Sequence, residues 1–125
     1  MCDDAERHTG AVFAQTELTV YTAVEAEDLK RYAEAFNKDY PDITIKWVRD
    51  STGIITNKLL AEKENPQADV IWGLAATSLM LMKNEGMLEA YAPAGLDKLD
   101  PAFRDKDDPP FWTGMDAWVA AVCVN

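Results

Sequence analysis

The stretch that decides the fold is LTVYTAVEAED at residues 18–28. Its first half is rich in β-branched and aromatic residues, which favours a strand from Leu18 to Thr22. Its second half brings acidic residues together from Glu25 to Asp28, which suits the positive N-terminal end of a helix. Pro41 then ends a run of apolar residues that are spaced by three and four: Leu29, Tyr32, Ala33, Phe36 and Tyr40. The sequence therefore predicts a strand that leads directly into an amphipathic helix.

The same strand-and-helix unit recurs twice downstream. Residues 43–48 alternate and are β-branched, and residues 50–53 offer capping residues for a helix to about Glu64. Residues 68–73 form a third strand, and Thr77 or Ser78 is expected to cap a third helix that ends at Gly86. The order βαβαβα predicts an α/β fold, with a parallel sheet, right-handed crossovers and helices on its faces.

Ligands of an open parallel sheet bind in the crevice outside the carboxyl ends of its strands. The loops that leave these ends are residues 21–25, 50–53 and 73–78. All three carry hydroxyl-bearing or small residues. We therefore expect a binding crevice between these three loops.

The composition restricts the kind of partner. A chain of 125 residues forms one compact domain, and 48% hydrophobic residues can build its core. Its 12 basic and 22 acidic residues give a formal net charge of −10, which repels nucleic acid and anionic membrane surfaces. No apolar run approaches the roughly 20 residues of a membrane-spanning helix. We expect no nucleic-acid partner and no membrane insertion.

Few residues of the sequence suit metal binding, thiol chemistry or cofactor binding. His8, the single histidine, lies in a polar stretch, and Cys2 and Cys123 lack metal-ligand spacing. Cys123 is expected to be buried in an apolar strand. The sequence contains no Walker A loop and no GxGxxG, GxSxG or HExxH motif. We therefore expect no metal, no cofactor and no enzymatic activity.

The two ends of the chain differ from the repeat. Residues 1–10 are polar, while AVFAQ at residues 11–15 is similar to the end of a secretory leader, so residues 1–15 are interpreted as a tail or leader remnant. Residues 16–116 carry the repeat and the loops that follow it. From residue 117 an apolar run predicts a further strand.

Four segments resemble the start of an extracytoplasmic solute-binding protein of an ABC importer: residues 18–23, residues 52–59, residues 67–72 and residues 86–91. WGLAATS at residues 72–78 is similar to the 2-aminoethylphosphonate binders, in a branch that also contains ferric-ion binders. The resemblance implies a three-layer parallel-sheet lobe of a type II periplasmic-binding-protein fold. It implies that residues 117–125 begin a strand across the hinge, that the second lobe is absent, and that the location is periplasmic or extracellular.

The resemblance also implies a ligand and a partner. The ligand would be a small anionic or zwitterionic solute such as 2-aminoethylphosphonate, held by closure of two lobes and delivered to an ABC permease. The ferric branch is disfavoured, because its members commonly place a histidine or tyrosine where this chain has Thr22 to Glu25. A ferric-ion or other small-anion binder stays an alternative, as does an enzyme on the same bilobal fold with its catalytic residues in the absent part.

Candidate ligand contacts lie on the three loops. Ser51, Thr52 and Gly53 can offer hydroxyls and free amides to an oxyanion at a helix N-terminus. Helix capping explains the same residues equally well. The same two interpretations apply to Ala76 and Thr77.

The other candidates carry alternatives as well. Thr22 and Ala23 lie on the first loop. Glu25 can pair with the ammonium group of a zwitterion, or it can simply begin a helix. Trp72 can form an aromatic wall for the ligand or anchor the core.

Overall fold

A computed structural model describes residues 15–118 and 121–124. It confirms the predicted alternation of strands and helices, with these bounds: β1 Thr16–Thr22, α1 Ala26–Asp39, β2 Ile43–Arg49, α2 Thr52–Ala61, β3 Val70–Trp72 and α3 Ala76–Asn84. Two short 3-10 turns follow at Leu96–Lys98 and Pro101–Phe103. Of the tail or leader remnant predicted for residues 1–15, all but Gln15 lies outside the described residues.

The three strands form one parallel sheet in the order β2-β1-β3. β1 pairs with β2 from Thr16 opposite Ile43, and with β3 from Val20 opposite Val70. α1 connects β1 to β2 on one side of it, and α2 connects β2 back past β1 to β3 on the other side. Because such crossovers are right-handed, α1 and α2 lie on opposite faces of the sheet.

The core divides between the two faces, since side chains alternate along a strand. Tyr21, with its register partners Val48 and Ile71, packs on the α2 and α3 side with a cluster of apolar side chains: Ile55, Leu59, Leu74 and Met82. Trp72 follows Ile71 on β3 and therefore faces α1, where its ring meets Tyr32 edge-on with ring centroids 5.6 Å apart. The predicted three layers of helix, sheet and helix are therefore confirmed.

The start of α3 differs from the prediction. The helix begins at Ala76, with Ala75 in the N-cap position, so Thr77 and Ser78 lie inside the first turn and do not cap it. The chain already turns at Gly73, which has a φ of 67°, and Ala75 enters the helix with φ −57° and ψ 141°. The backbone turn sets the helix start, and the position of the hydroxyl residues does not.

The end of the chain differs as well. Residues 115–118 and 121–124 form no strand, and residues 119, 120 and 125 lie outside the described residues. Trp118 and Val124 are 81% and 91% exposed, and Cys123 is exposed, so the predicted burial of Cys123 is wrong. A strand needs a neighbour for its backbone groups, and within the described ranges no strand pairs with this segment. Among the described residues, no helix has the length and apolarity to cross a membrane.

Candidate solute-binding crevice

The strand order places a crevice at the carboxyl ends of β1 and β3. α1 follows β1 on one face of the sheet, while α3 follows β3 on the face that α2 covers, so a crevice opens between the starts of α1 and α3. A cavity of about 1500 Å³ begins in this crevice and continues along the outer edge of β3. It is larger than the roughly 300–1000 Å³ of common small-molecule pockets. Near the crevice its lining includes Ala23, Thr52, Trp72, Gly73, Leu74, Ala75 and Ala76. A second part of the lining, which we call the far wall, comes from Phe111, Trp112, Thr113 and Gly114.

Two helices present uncapped N-termini at this crevice. Ser51 occupies the N-cap position of α2 in an extended conformation, but its side chain accepts no backbone N–H. Ala75 occupies the same position in α3 and has no side chain that could cap. The first amides of a helix have no partner within the helix. Both helices therefore direct unsatisfied N–H groups, with the positive end of the helix dipole, outward from their first turns.

A pair of hydroxyls joins these two helices near their N-termini. The Thr56 Oγ1 donates to the carbonyl oxygen of Thr52 at 2.6 Å and lies 3.0 Å from the Ser78 Oγ. A threonine hydroxyl has a single hydrogen, so the Ser78 hydroxyl is the donor in the second bond. Thr56 is buried at 9% exposure. The N-termini of α2 and α3 are consequently held side by side.

Gly73 brings the loops after β1 and β3 into contact. A Cβ atom at this position would lie 2.1 Å from the Val24 Cγ2, and the φ of 67° is one that side chains rarely tolerate. Only glycine allows this approach. The sequence reasoning missed this position, although a glycine directly after a strand is a signal of such close packing.

Four of the predicted contact residues line the cavity together: Ala23, Thr52, Trp72 and Ala76. The others lie outside its lining. Thr22 is fully buried, and its Oγ1 accepts the backbone N–H of Val24 at 3.1 Å. Ser51, Gly53 and Thr77 are exposed beside the crevice. A ligand would reach these three positions only at the rim.

Glu25 already has a partner. Its Oε2 accepts from the Arg49 Nη2 at 2.7 Å, and the Arg49 Nε donates to the carbonyl oxygen of Val24, also at 2.7 Å. Arg49 ends β2 beside Thr22, so the pair ties β2 to the loop after β1. The sequence reasoning missed Arg49, although a single arginine at the carboxyl end of a strand was a visible signal.

Trp72 contributes mainly to packing. Its ring meets Tyr32, and its indole N–H is buried without an acceptor within the part of the chain that the structure describes. The indole N–H of Trp112, in the far wall, is in the same situation. The interpretation of Trp72 as a core anchor fits this geometry, while part of the residue still borders the cavity.

The far wall belongs to a loop that we call the wall loop, residues 103–114. Its two arms pair in antiparallel fashion, with the Asp105 N–H donating to the Trp112 carbonyl at 3.0 Å and the Gly114 N–H donating to the Phe103 carbonyl at 2.6 Å. Lys83 of α3 donates to both oxygens of Asp105 at 2.8 Å. The wall loop is thereby attached to α3.

Charge and burial oppose each other at Asp105. Burial raises the pKa of this carboxyl, but hydrogen bonds from Lys83 and from the backbone N–H groups of Phe111 and Lys106 outweigh it and lower the pKa below its ordinary value. Hydrogen bonds to Asp105 and Asp107 in turn raise the pKa of Lys83. Asp105 and Lys83 are therefore both charged at neutral pH. Across the described residues, no group of three histidine, cysteine or acidic side chains could hold a metal ion.

The described residues form an α/β lobe with a wide crevice at the carboxyl edge of a parallel sheet. Residues 22–119 match the model of the family described as bacterial extracellular solute-binding protein. The chain therefore belongs to the family of bacterial extracellular solute-binding proteins. This membership confirms the resemblance noted in the sequence.

Individual relatives agree with this family. A probable ABC transporter periplasmic-binding protein, y4fP of Sinorhizobium fredii, is 36% identical over 63 residues, which are 50% of this chain and 18% of the relative. The periplasmic binding protein AfuA of Actinobacillus pleuropneumoniae, solved with fructose-6-phosphate bound, is 31% identical with a TM-score of 0.66, over 73% of this chain and 28% of AfuA. Iron-bound HitA of Pseudomonas aeruginosa is 23% identical with a TM-score of 0.65, over 73% of this chain and 29% of HitA, and shows the fold alone. The chain thus spans less than a third of the length of these proteins.

Proposed function

We propose that the protein that carries this chain captures a small solute with a phosphonate or phosphate group outside the cytoplasmic membrane and delivers it to the permease of an ABC importer. The first candidate is 2-aminoethylphosphonate. The observation that carries the proposal is the pair of uncapped N-termini of α2 and α3, which Thr56 and Ser78 hold side by side next to the cavity. Capture needs no covalent step, so the protein acts as a carrier and not as an enzyme.

The chemistry of the ligand follows from the donors. A tetrahedral oxyanion has three oxygens that accept hydrogen bonds, and backbone amides at a helix N-terminus combine donors with about half a positive charge. The amides of Thr52 and Ala76, with those of Gly53 and Thr77 beside them, begin the two helices. They can bind such a group in spite of the net charge of −10, because the surface charges are distant and screened.

One relative supports the phosphate-bearing class. AfuA, at 31% identity, was solved with fructose-6-phosphate bound, and that ligand carries a tetrahedral phosphate. A sugar phosphate is therefore the second candidate within the same class. Both candidates would place the same chemical group at the amides of α2 and α3.

Glu25 separates these two candidates. The aminophosphonate carries an ammonium group that needs an acceptor, while the sugar phosphate carries none. Glu25 is 65% exposed at its side chain, and its Oε2 is occupied by Arg49, which leaves Oε1 to accept from an ammonium. We assign Glu25 to the ammonium group, and Arg49 to holding the carboxylate in place.

Closure of two lobes around the solute completes the proposed mechanism. A crevice formed by one lobe contacts only one side of a ligand, and closure of the other lobe would exclude water and add donors. Specificity then arises because a wrong solute leaves some of these donors unpaired.

Calorimetric titration of the intact protein that carries this chain tests the proposal. The ligands are 2-aminoethylphosphonate, fructose-6-phosphate, inorganic phosphate and ferric citrate. We expect one of the first two to bind more tightly than phosphate. If neither 2-aminoethylphosphonate nor fructose-6-phosphate binds, the proposed function is wrong. Tight binding of ferric ion alone would support the ferric alternative.

A single amide can be removed without loss of its helix. Proline is tolerated at the first position of a helix, and Ala75 already has the extended conformation that a residue before proline requires. Ala76→Pro should therefore keep α3 and remove one donor, which weakens binding by about 1.5–3 kcal/mol, or roughly 10- to 100-fold in Kd. The matched control is Ala76→Ser, which changes the same position but keeps its backbone N–H. Equal effects of the two substitutions would contradict the assignment.

Glu25→Ala distinguishes the two phosphorus ligands. We expect it to weaken 2-aminoethylphosphonate about tenfold, since a charged hydrogen bond is lost, and to leave fructose-6-phosphate binding unchanged. Glu34→Ala is the control, because Glu34 is equally exposed on α1 in a pair with Lys30. If Glu25→Ala leaves the aminophosphonate affinity unchanged, Glu25 has no role in ligand binding.

A further inference from the structure

Lys83 directs all of its hydrogen-bonding capacity at the wall loop. Its ammonium group has three hydrogens, and three carboxylate oxygens lie at 2.8 Å: both oxygens of Asp105 and one of Asp107. The same ammonium lies 5.2 Å from the centroid of the Phe111 ring. These contacts join α3, whose N-terminus borders the crevice, to the loop that forms the far wall of the cavity.

Asp105 connects Lys83 to the backbone of the wall loop. It is 8% exposed, and its two oxygens also accept the backbone N–H groups of Lys106 at 2.9 Å and Phe111 at 3.0 Å. The Asp105 N–H donates to Trp112, so the arm of the loop that lines the cavity is bonded to the arm that Lys83 holds. The two arms must therefore move together.

We propose that Lys83 is a positioning residue for ligand binding: it holds residues 111–114 in place as the far wall of the cavity. This inference rests on the proposed function, because the ligand whose affinity Lys83 controls is the phosphonate or phosphate solute. Lys83 does not line the cavity itself. Its effect on the ligand passes through Asp105 and the backbone of the wall loop.

Loss of the ammonium group would release the wall and not merely remove a surface charge. Without Lys83, Asp105 remains a buried carboxylate without its cation, beside the like charge of Asp107. An uncompensated buried charge is strongly unfavourable, so the carboxylate moves toward water and takes the loop with it. If the wall is then in place for one tenth of the time, the apparent affinity for the solute falls about tenfold.

The experiment compares Lys83→Met, Lys83→Arg and Lys30→Met in the intact protein that carries this chain. Lys30 is the control, since its pair with Glu34 is exposed and lies on α1. Amide hydrogen exchange is measured at Phe111 and at Leu29, whose N–H donates to the Glu25 carbonyl within α1. Binding of 2-aminoethylphosphonate and of fructose-6-phosphate is titrated on the same samples.

We expect Lys83→Met to accelerate exchange at Phe111 at least tenfold, to leave Leu29 unchanged, and to raise the Kd of the bound solute about tenfold. Lys83→Arg should leave the exchange rate at Phe111 and the Kd close to those of the wild type, because a guanidinium can bind the Asp105 carboxylate through two hydrogen bonds. Lys30→Met should change neither value.

Three outcomes would overturn the inference: unchanged exchange at Phe111, equal acceleration at Leu29, or faster exchange at Phe111 with an unchanged Kd. The second outcome would mean that Lys83 only stabilises the whole fold. A wild-type protein that binds none of the solutes refutes the proposed function, and the exchange data alone then decide whether Lys83 holds the wall.

Discussion

Gly73→Ala is the substitution for which the structure predicts the largest and best-defined cost. The new methyl group would lie 2.1 Å from the Val24 Cγ2, and the φ of 67° is a left-handed conformation. The conformation costs about 1–2 kcal/mol for a residue other than glycine. Overpacking against Val24 adds about 1–3 kcal/mol. We therefore expect Gly73→Ala to lower the free energy of unfolding by about 2–5 kcal/mol.

Gly86→Ala is the matched control. Gly86 has nearly the same φ, 70°, but a Cβ there would meet no atom within 4 Å. Only the conformational cost applies, so the expected loss is about 1–2 kcal/mol. Val24→Ala combined with Gly73→Ala should recover part of the loss, because the clashing methyl group is gone. The free energies are measured by urea unfolding, followed by far-UV circular dichroism, in the intact protein. Equal losses for the two glycines, or no recovery in the double variant, would refute the close approach of the two loops.

Three further substitutions test other contacts, each by urea unfolding. Thr56→Val should cost about 1–3 kcal/mol, because it removes two buried hydrogen bonds and leaves Ser78 without its partner, while Thr56→Ser should cost clearly less; equal costs would argue against the hydroxyl link. Asp105→Asn should be less stable than the wild type at pH 7, and the difference should shrink below about pH 4. The direction of this pH dependence follows from the pKa of Asp105, which is lowered in the folded state. The charged carboxylate therefore stabilises the fold above the ordinary aspartate pKa, and this stabilisation is lost as the pH falls through the pKa of the folded state. A difference that does not depend on pH would contradict this reasoning. Tyr21→Phe should cost about 0.5–1.5 kcal/mol, because the phenol donates to Glu62 at 2.8 Å, and an unchanged stability would show that this bond contributes nothing.

The sequence predicted the elements whose patterns are local. β1 and β2 were placed within two residues, because alternating β-branched residues and flanking turn residues set both strands. The end of α2 was placed too late, at Glu64 instead of Ala61. The backbone N–H of Glu62 donates to the carbonyl of Leu59, three residues before it, which is the pattern of a tightening helix end. The Glu62 side chain accepts a hydrogen bond from Tyr21 on β1, 41 residues away. Propensity alone cannot anticipate such a contact.

The relative position of the three loops was predicted, but the contacts that their residues make were not. The three loops meet as expected at the carboxyl edge of the sheet, since parallel topology dictates it. The pairing of Glu25 with Arg49 depends on strand register, which the sequence does not specify. The contacts of Lys83 were also missed, because Asp107 lies in a loop rich in proline and aspartate that looks like solvated surface. Long-range charge pairing decides these features, and it has no local signature.

The central place of β1 also has a consequence for the order of folding. β1 is synthesised first, but the β3 residues that complete its hydrogen bonds follow it by about 50 residues, as the bond between the Thr19 N–H and Asp69 shows. At a synthesis rate of roughly 5–20 residues per second, β1 waits several seconds for its second neighbour. During that time its apolar side chains and one row of backbone groups are open to other chains. The most buried strand of the lobe is therefore exposed to association with other chains while the lobe is being made.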